Sequence, residues 1–243
     1  MRVYGRKILI EILKNNIPVK KVYFAHYENP SRDFHKLIEE VQRRGIPHKF
    51  VTKKKADNLV QGEKSQGVVI DLGDFKYQAL EDAIEKAGKD PFAILLDQIQ
   101  DPHNFGAIIR TAAAAGVNFI VIPKDRSVKV TPAVVKVSAG MAFRIPIVIV
   151  TNLARTIQQL KERGFWIYAA AKGGKNYYEQ DLTGPIGLVF GNEGKGIRRL
   201  VLENCDGVIT IPMREGVDSL NVAVSAGIII YEAKRQREAK KRS

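Results

Sequence analysis

The stretch PFAILLDQIQDPHNFGAIIRTAAAAGVNFIVIP, residues 91–123, decides the fold class. It begins and ends with a short apolar run, and a helix-like segment lies between the two. Short apolar strands joined by helices are typical of a parallel sheet that is covered on both faces. The same pattern continues to the end of the chain, with strands predicted at 92–97, 118–123, 144–150, 165–170, 186–190 and 207–212 and helices at 106–115, 132–142, 153–163, 196–203 and 219–237.

The first 72 residues predict a separate, smaller α/β domain. Apolar residues recur at helical spacing in 31–44, where Ser31 suits the N-cap position and Gly45 the position after the helix. A second helix is predicted at 53–60, and short β-type runs lie at 22–25, 48–51 and 67–72. Residues 73–90 are net acidic and form a predicted linker, so the predicted domains are 1–72 and 91–243.

The charge of the chain points to a polyanionic partner. Its 39 Lys and Arg residues exceed its 26 Asp and Glu residues, which gives a net charge of +13. The excess is concentrated at the two ends, with +7 in 1–72 and +5 in 233–243. Nucleic acid and an acidic membrane surface both fit such a charge, and solvated basic tails are the alternative for 233–243.

Several classes of protein are excluded by composition. The single cysteine, Cys205, can form neither an internal disulfide nor a cysteine-rich zinc site. No apolar run approaches the ~20 residues that span a bilayer, and the charged N-terminal stretch is unlike a signal peptide. We therefore expect a cytoplasmic protein that binds no metal and does not enter a membrane.

Three loops follow predicted strands and carry polar or glycine-rich sequence: 98–106, 191–196 and 211–222. Ligands of open α/β sheets bind beyond the carboxyl ends of the strands, so these loops predict one shared site. Each loop also has a structural explanation. Arg110 can be a solvated side chain, the glycines can form a tight turn, and Ser219 can cap a helix. The order G-x-x-G-x-G differs from the dinucleotide pattern, and the chain contains no Walker A sequence.

The segments DPHNFGAIIRTAAAAGV, LVFGNEGKGI and IPMREGVDSLNVAVSAGIIIYE resemble the three motifs of the SpoU-type RNA ribose 2′-O-methyltransferases, in the SPOUT class. The similarity covers roughly 91–237, and the opening VYGRKILIEIL resembles the N-terminal domain of the branch that methylates guanosine in bacterial 23S rRNA. The resemblance implies a knotted parallel sheet behind a domain similar to ribosomal protein L30. It also implies a homodimer whose active site lies near the subunit interface.

The resemblance further implies a reaction and a set of site residues. The reaction is methyl transfer from S-adenosylmethionine to a ribose 2′-hydroxyl of RNA, most closely a guanosine of 23S rRNA. The implied S-adenosylmethionine contacts are Gly191, Ile211 and Leu220, and the residues that shape the pocket are Asn192, Glu193, Ser219 and Asn221. Asn104 and Arg110 are the implied catalytic pair.

The role of Arg110 is constrained by its chemistry. A guanidinium remains protonated in proteins, so we expect it to bind the target phosphate and stabilise charge on the 2′-oxygen rather than accept a proton. Proton removal then falls to phosphate, water or Glu193, and His103 is a further alternative.

The N-terminal domain is expected to bind RNA through charge and shape. The candidate phosphate contacts are Lys53, Lys54, Lys55, Arg43 and Arg44. Two other functions remain open at this point. One is methylation of transfer RNA, and the other is a non-catalytic role in ribosome assembly.

Overall fold

A computed structural model describes residues 1–27 and 30–241, which form two compact units. The strands are β1 (Arg2–Tyr4), β2 (Val19–Ala25), β3 (His48–Val51), β4 (Val68–Leu72), β5 (Phe92–Asp97), β6 (Phe119–Pro123), β7 (Ile147–Val150), β8 (Trp166–Asn176), β9 (Ile186–Gly191) and β10 (Gly207–Thr210). The helices are α1 (Arg6–Lys14), α2 (Arg32–Arg43), α3 (Lys53–Asn58), α4 (Leu80–Lys86), α5 (Pro102–Ala115), α6 (Pro132–Val137), α7 (Leu153–Glu162), α8 (Arg199–Glu203) and α9 (Val222–Lys240), with a 3₁₀ turn at Met141–Phe143.

The larger unit contains Tyr77–Lys129 and the chain from Ile145 onward. Its sheet has the order β10-β8-β9-β5-β6-β7, and every pairing is parallel. One face carries α4, α7 and α8, whose apolar side chains join the sheet in a buried cluster, and α5 packs beside α9 on the other. The predicted parallel α/β sheet is confirmed.

The smaller unit contains Met1–Lys76 together with Val130–Arg144. Its sheet has the order β1-β4-β2-β3, in which β4 runs antiparallel to both neighbours and β2 runs parallel to β3. The predicted division had assigned 130–144 to the domain 91–243, whereas the structure groups this segment with the N-terminal residues. Gly140 lies close to α1, where an added Cβ would be 3.2 Å from Cβ of Glu11, and Lys136 pairs with Glu63 at 2.8 Å.

Helices α2 and α6 begin where they were predicted to begin, and a side chain caps each of them. Ser31 and Thr131 accept hydrogen bonds from the backbone N–H three residues later, at 3.4 Å in both cases. The start of α5 was predicted four residues too late. Asp101 caps this helix by accepting from the His103 N–H at 2.9 Å, and Pro102 takes the first helical position. Asn104 therefore lies in the first turn of α5.

The predicted boundaries of two other segments were also wrong. The helix expected from 196 begins at Arg199, because Gly196 adopts a left-handed conformation with φ of 68° and closes the preceding loop. The strand expected to end at 170 continues to Asn176 across a bulge opposite Val208. Gly174 permits this approach, since an added Cβ would lie 2.2 Å from the carbonyl oxygen of Val208.

The predicted basic tail is largely helical. Helix α9 continues to Lys240, and Arg242 and Ser243 lie outside the described residues. In the described part of the chain, no helix is both long and apolar enough to cross a membrane. Cys205 packs against the core of the larger unit, and burial raises the pKa of its thiol to about 12, so the thiol stays protonated.

Candidate active site

The sheet topology brings the first two predicted loops together. Strands β6 and β7 lie on one side of β5, while β9, β8 and β10 lie on the other, so the strand order switches beside β5. Asp97 and Gly191, the last residues of β5 and β9, are register partners. The loops that follow them therefore leave the sheet side by side, at the position where open α/β sheets bind ligands.

Three side chains, one from each predicted loop, form a hydrogen-bonded cluster. Asn104 Nδ2 donates to Glu193 Oε1 at 2.8 Å, and Asn221 Nδ2 donates to the same oxygen at 2.7 Å. Asn221 Nδ2 also lies 3.0 Å from Asn104 Oδ1, which closes the triangle. We call these residues the Asn-Glu-Asn cluster. Because one carboxylate oxygen holds both amides, the cluster fixes the three loops relative to one another.

Asn221 also caps α9, and this corrects one sequence-based expectation. Its Oδ1 accepts from the N–H groups of Ala223 at 2.9 Å and Val224 at 3.3 Å. Ser219 was considered as the cap, but the helix begins only at Val222. Asn221 thus uses its oxygen for the helix and its nitrogen for the cluster, so the start of α9 is set by the same side chain.

The glycine loop closes on itself. Asn192 and Gly196 exchange two backbone hydrogen bonds, at 3.0 and 2.8 Å. The Asn192 side chain accepts from the N–H groups of Gly194 and Lys195 at 3.0 and 3.2 Å and donates to the carbonyl of Gln98 at 3.1 Å. The tight-turn interpretation of this loop is therefore correct as a description of its backbone.

Gly191→Ala is expected to destabilise the loop, whereas Gly194→Ala is expected to be tolerated. A Cβ on Gly191 would lie 2.3 Å from the carbonyl carbon of Gly196, and that contact is with backbone that cannot move without opening the turn. A Cβ on Gly194 would meet nothing closer than 3.6 Å. We expect about 1–3 kcal/mol of lost stability for Gly191→Ala, measured by denaturant unfolding, and less than about 1 kcal/mol for its control. Equal losses in the two variants would contradict this assignment.

Sequence reasoning missed the ion pair behind the glycine loop. Asp97 is fully buried, and its carboxylate accepts from the backbone N–H of Arg198 at 2.8 Å and from its guanidinium at 2.7 and 2.8 Å. The next residue, Gln98, has φ of 63°, which is uncommon for a residue other than glycine. The signal that could have revealed this site is a charged residue at the end of the apolar strand FAILLD.

A cavity of about 240 Å³ opens beside the glycine loop. Six of the seven predicted pocket residues line it, and Asn221 is the exception: Gly191, Asn192, Glu193, Ile211, Ser219 and Leu220. Further lining residues that the sequence did not single out are Ala170, Ala171, Lys172, Met213 and Asp218. The lining combines apolar side chains with amide and carboxylate groups, which suits a ligand that is partly a flat ring and partly polar.

An exposed ion pair lies at the rim of this cavity. Lys172 Nζ donates to Asp218 Oδ1 at 2.9 Å, and this hydrogen bond lowers the pKa of the Asp218 carboxyl. Both residues line the cavity, one from the long strand β8 and the other from the loop before α9. The pair is solvent-exposed, so it contributes little to stability, but it sets opposite charges at the cavity entrance.

Arg110 does not line the cavity of its own chain. It lies six residues after Asn104 on α5, which turns its side chain about 120° away from that of Asn104. The side chain is exposed, and no partner for it is found in residues 1–27 and 30–241. The structure therefore brings together Asn104, Glu193 and Asn221 but does not bring Arg110 to them.

The predicted RNA contacts of the smaller unit fall into two groups, exposed lysines and arginines that are paired with a carboxylate. Lys53, Lys54 and Lys55 are exposed in the first turn of α3. Arg43 and Arg44 both bind Glu40, at 2.7 and 2.6 Å, and their hydrogen bonds lower the pKa of that carboxyl.

Arg44 also contacts the backbone of the smaller unit. The Arg44 guanidinium donates to the carbonyl of Leu13 at 2.6 Å, so it holds the end of α1.

Sequence reasoning missed one exposed aromatic residue of the smaller unit. Phe50, on the edge strand β3, is 37% exposed and lies 5.3 Å from the ring of His26. Exposed aromatic rings of this kind are surfaces on which unpaired bases can stack.

Comparison with known proteins identifies the family. Residues 91–231 match the model of the SpoU rRNA methylase family, and residues 2–78 match the model described as RNA 2′-O ribose methyltransferase substrate binding. The chain therefore belongs to the SpoU rRNA methylase family. Among the described residues, no group of three His, Cys, Asp or Glu side chains is placed to hold a metal ion.

Individual relatives cover almost the whole chain. A Bacillus subtilis protein named putative TrmH family tRNA/rRNA methyltransferase YacO is 42% identical, over 97% of this chain and 95% of its own. The Pseudomonas putida 23S rRNA (guanosine-2′-O-)-methyltransferase RlmB is 38% identical, over 99% and 98%. The crystal structure of an AdoMet-bound rRNA methyltransferase from Sinorhizobium meliloti is similar with a TM-score of 0.81 at 26% identity, covering 96% of this chain and 86% of that one.

Proposed function

We propose that this protein transfers a methyl group from S-adenosylmethionine to the ribose 2′-hydroxyl of a guanosine in 23S rRNA. The observation that carries the proposal is the Asn-Glu-Asn cluster, which joins the three family motifs beside one cavity. The relative named RlmB, 38% identical over nearly the full chain, supports the substrate. The AdoMet-bound structural neighbour supports the methyl donor.

The cavity residues fit the proposed methyl donor. Bound S-adenosylmethionine supplies a methyl group already activated by its positive sulfonium. The apolar side chains of Phe190, Ile209 and Leu220 offer surface for an adenine ring, and backbone at Gly191 and Ile211 offers polar contacts at the ends of β9 and β10. What this chain must do is hold the acceptor oxygen in line with the reacting bond, and such alignment can supply up to ~7–11 kcal/mol.

The proton of the 2′-hydroxyl must leave as the new oxygen–carbon bond forms. Glu193 Oε1 already accepts two amide hydrogen bonds and a third, longer one from the Val222 N–H at 3.5 Å. We propose that Glu193 positions the loops and that a phosphate oxygen or water receives the proton. Arg110 would bind the target phosphate, because a planar guanidinium donates two parallel hydrogen bonds to phosphate oxygens.

We further propose that two copies of the chain form the active enzyme. Helix α9 exposes two large apolar side chains seven residues apart on one face, Val224 at 51% and Tyr231 at 48%. Such a face suits association with a second copy. Arg110 lies outside the cavity of its own chain and would serve the cavity of the partner. The implied knot stays a prediction, as does the similarity of the smaller unit to ribosomal protein L30.

Two measurements test the proposed function. Calorimetry with S-adenosylmethionine should show saturable binding, and its absence would favour an assembly factor without catalysis. Ribose methylation of 23S rRNA, mapped in cells with and without the gene, should differ at one guanosine. Because the Bacillus subtilis relative is named for tRNA as well as rRNA, transfer RNA belongs in the same comparison. A difference in transfer RNA alone would replace the proposed substrate. A ribosomal RNA substrate would also make this a cytoplasmic protein.

The lysines of α3 are expected to contribute to RNA affinity through charge. Replacing Lys53, Lys54 and Lys55 by alanine should weaken RNA binding and reduce the slope of log K against log salt by up to about 2–3, because each phosphate contact contributes ~0.7–0.9. Filter binding over a range of salt concentrations measures this slope. Arg43→Gln is the contrasting variant, because Glu40 already neutralises that side chain. If the triple variant kept the wild-type slope, these lysines would not be phosphate contacts.

A further inference from the structure

The single tryptophan of the chain is exposed. Trp166 begins β8 and has 58% of its surface in contact with solvent, whereas its neighbour Phe165 is buried. Strand β10 pairs with β8 only from Tyr168 onward, so Trp166 lies before the start of that neighbouring strand. An exposed indole is costly to leave in water and is more often found where a partner covers it.

Polar groups of fixed position surround the indole. A second, open cavity of about 380 Å³ is lined by Trp166, Tyr168, Asp181, Thr183 and Lys240. Thr183 donates to Asp181 Oδ1 from its backbone at 2.9 Å and from its hydroxyl at 2.7 Å, and these bonds lower the pKa of the Asp181 carboxyl. Lys240 Nζ donates to the Thr183 hydroxyl at 3.3 Å. The cavity thus combines an aromatic plate with one cation and one anion.

The loop that forms this cavity is held by the last turns of α9. Gln236 accepts from the Leu182 N–H at 2.8 Å and donates to the Gln180 carbonyl at 3.0 Å. The Arg237 guanidinium donates to the carbonyl of Gly184. Because the helix fixes both ends of this loop, the cavity does not need to be ordered when a ligand binds.

The end of α9 is rich in basic residues. Lys234, Arg235, Arg237 and Lys240 lie on the helix and Lys241 follows it; Lys234 pairs with Glu238 and Arg235 with Glu232, whereas Lys240 lines the cavity. The same helix links this cavity to the candidate active site, since Ser225 and Ile229 line the latter. From Asn221 to Lys240 the helix rises about 28 Å, the length of about eight stacked nucleotides.

We propose that an unpaired base of the substrate RNA, outside the nucleotide that is methylated, stacks on the indole of Trp166. Its phosphate backbone would lie along Lys240 and the basic end of α9. Sites for single-stranded RNA combine aromatic plates with cationic side chains in this way. The inference rests on the proposed function for the identity of the RNA, and it adds a binding site at the opposite end of α9.

Trp166 itself reports on this site, because the fluorescence of the full-length protein comes from one indole. Titration with a 23S rRNA fragment that a filter assay shows to bind the protein should quench the tryptophan emission in a saturable way. Inorganic polyphosphate, which carries the charge without bases, should leave the emission unchanged. Equal quenching by polyphosphate, or no quenching by an RNA whose binding a filter assay confirms, would overturn the stacking site. An emission shift that depends on protein concentration without RNA would also overturn it, since a second copy would then cover the indole.

Variants test the contribution of the site to the reaction. Trp166→Ala should raise KM for RNA about tenfold while leaving kcat and the affinity for S-adenosylmethionine unchanged. The KM of Trp166→Phe should lie between those of the wild type and Trp166→Ala. Tyr178→Ala is the matched control, because Tyr178 is a similarly exposed aromatic residue, at 49%, outside this cavity. Thermal unfolding verifies that each variant is folded, and Lys240→Gln provides a second substitution that should raise KM.

The experiments distinguish a failure of the proposed function from a failure of the stacking site. If the wild-type protein methylates no RNA, the proposed function is wrong, and the fluorescence titration with RNA still decides the stacking site. If the wild-type protein methylates RNA and Trp166→Ala has an unchanged KM, only the stacking site is wrong.

Discussion

Replacing Arg110 by lysine is expected to lower kcat for RNA methylation by about 10²–10³-fold and to leave the affinity for S-adenosylmethionine unchanged. A donor that stabilises developing charge in a transition state is worth about this much when it is removed. Lysine keeps the charge but loses the planar pair of parallel donors that matches a phosphate. The cavity is unaffected because Arg110 does not line it.

The measurement for Arg110 is single-turnover methyl transfer at saturating RNA. Arg155→Lys is the matched control, since Arg155 is also exposed on a helix of the larger unit, away from the cavity. Near-normal turnover of Arg110→Lys would show that the planar guanidinium is not required.

Co-expression of two inactive variants determines whether Arg110 serves the cavity of the partner subunit. A dimer of one Arg110→Ala chain and one Asn104→Ala chain then has one complete site and should regain activity. If Arg110 acts within its own chain, both sites stay defective and no activity returns.

Replacing Glu193 by alanine is expected to lower both the affinity for S-adenosylmethionine and the rate of methyl transfer, with a combined loss of about 10²–10³-fold. The substitution removes the acceptor of two amide donors and leaves the Nδ2 group of the buried Asn104 without its acceptor. Hydrogen bonds to a charged group contribute ~1.5–3 kcal/mol each, so the loss of two is large even after the loops adjust.

Glu193→Gln separates positioning from proton transfer. Glutamine retains an oxygen that can accept from Asn104 and Asn221, so we expect its S-adenosylmethionine affinity and kcat to lie within about tenfold of wild type. If Glu193 instead accepted the proton, glutamine would bind the methyl donor normally but lose kcat as severely as alanine, with a changed pH profile. Glu215→Ala in the loop before α9 is the control, because Glu215 does not line the cavity.

The fold class followed from the alternation of apolar runs and helices, but the boundaries depended on caps that compete with one another. Asp101 and Pro102 formed a better helix start than Gly106, and Asn221 took the role considered for Ser219. The length of β8 could not be predicted, because its continuation past Ala170 depends on the close approach of Gly174 to Val208 across the bulge. Local sequence patterns do not show which distant backbone segments pair.

The candidate site was predicted in its parts rather than in its connections. The resemblance gave Asn104 as a catalytic residue and Glu193 and Asn221 as residues that shape the pocket, and the structure adds that a single carboxylate oxygen joins them. The ion pair of Asp97 and Arg198 joins residues 101 positions apart, so no short motif could contain it. The contacts of an exposed residue such as Arg110 depend on ligands and partners that one chain does not contain.

The segment Val130–Arg144 has a consequence for the order in which the chain can fold. Residues 1–76 of the smaller unit are synthesised first. The rest of this unit, α6 and the 3₁₀ turn, packs on β1 and α1 but follows them in the chain by more than a hundred residues. Its folding therefore has a high contact order and cannot finish until β5 and β6 have left the ribosome. The larger unit finishes later still, because β7 to β10 and α9 follow this segment, and truncation at residue 76 would remove α6 and the 3₁₀ turn from the smaller unit.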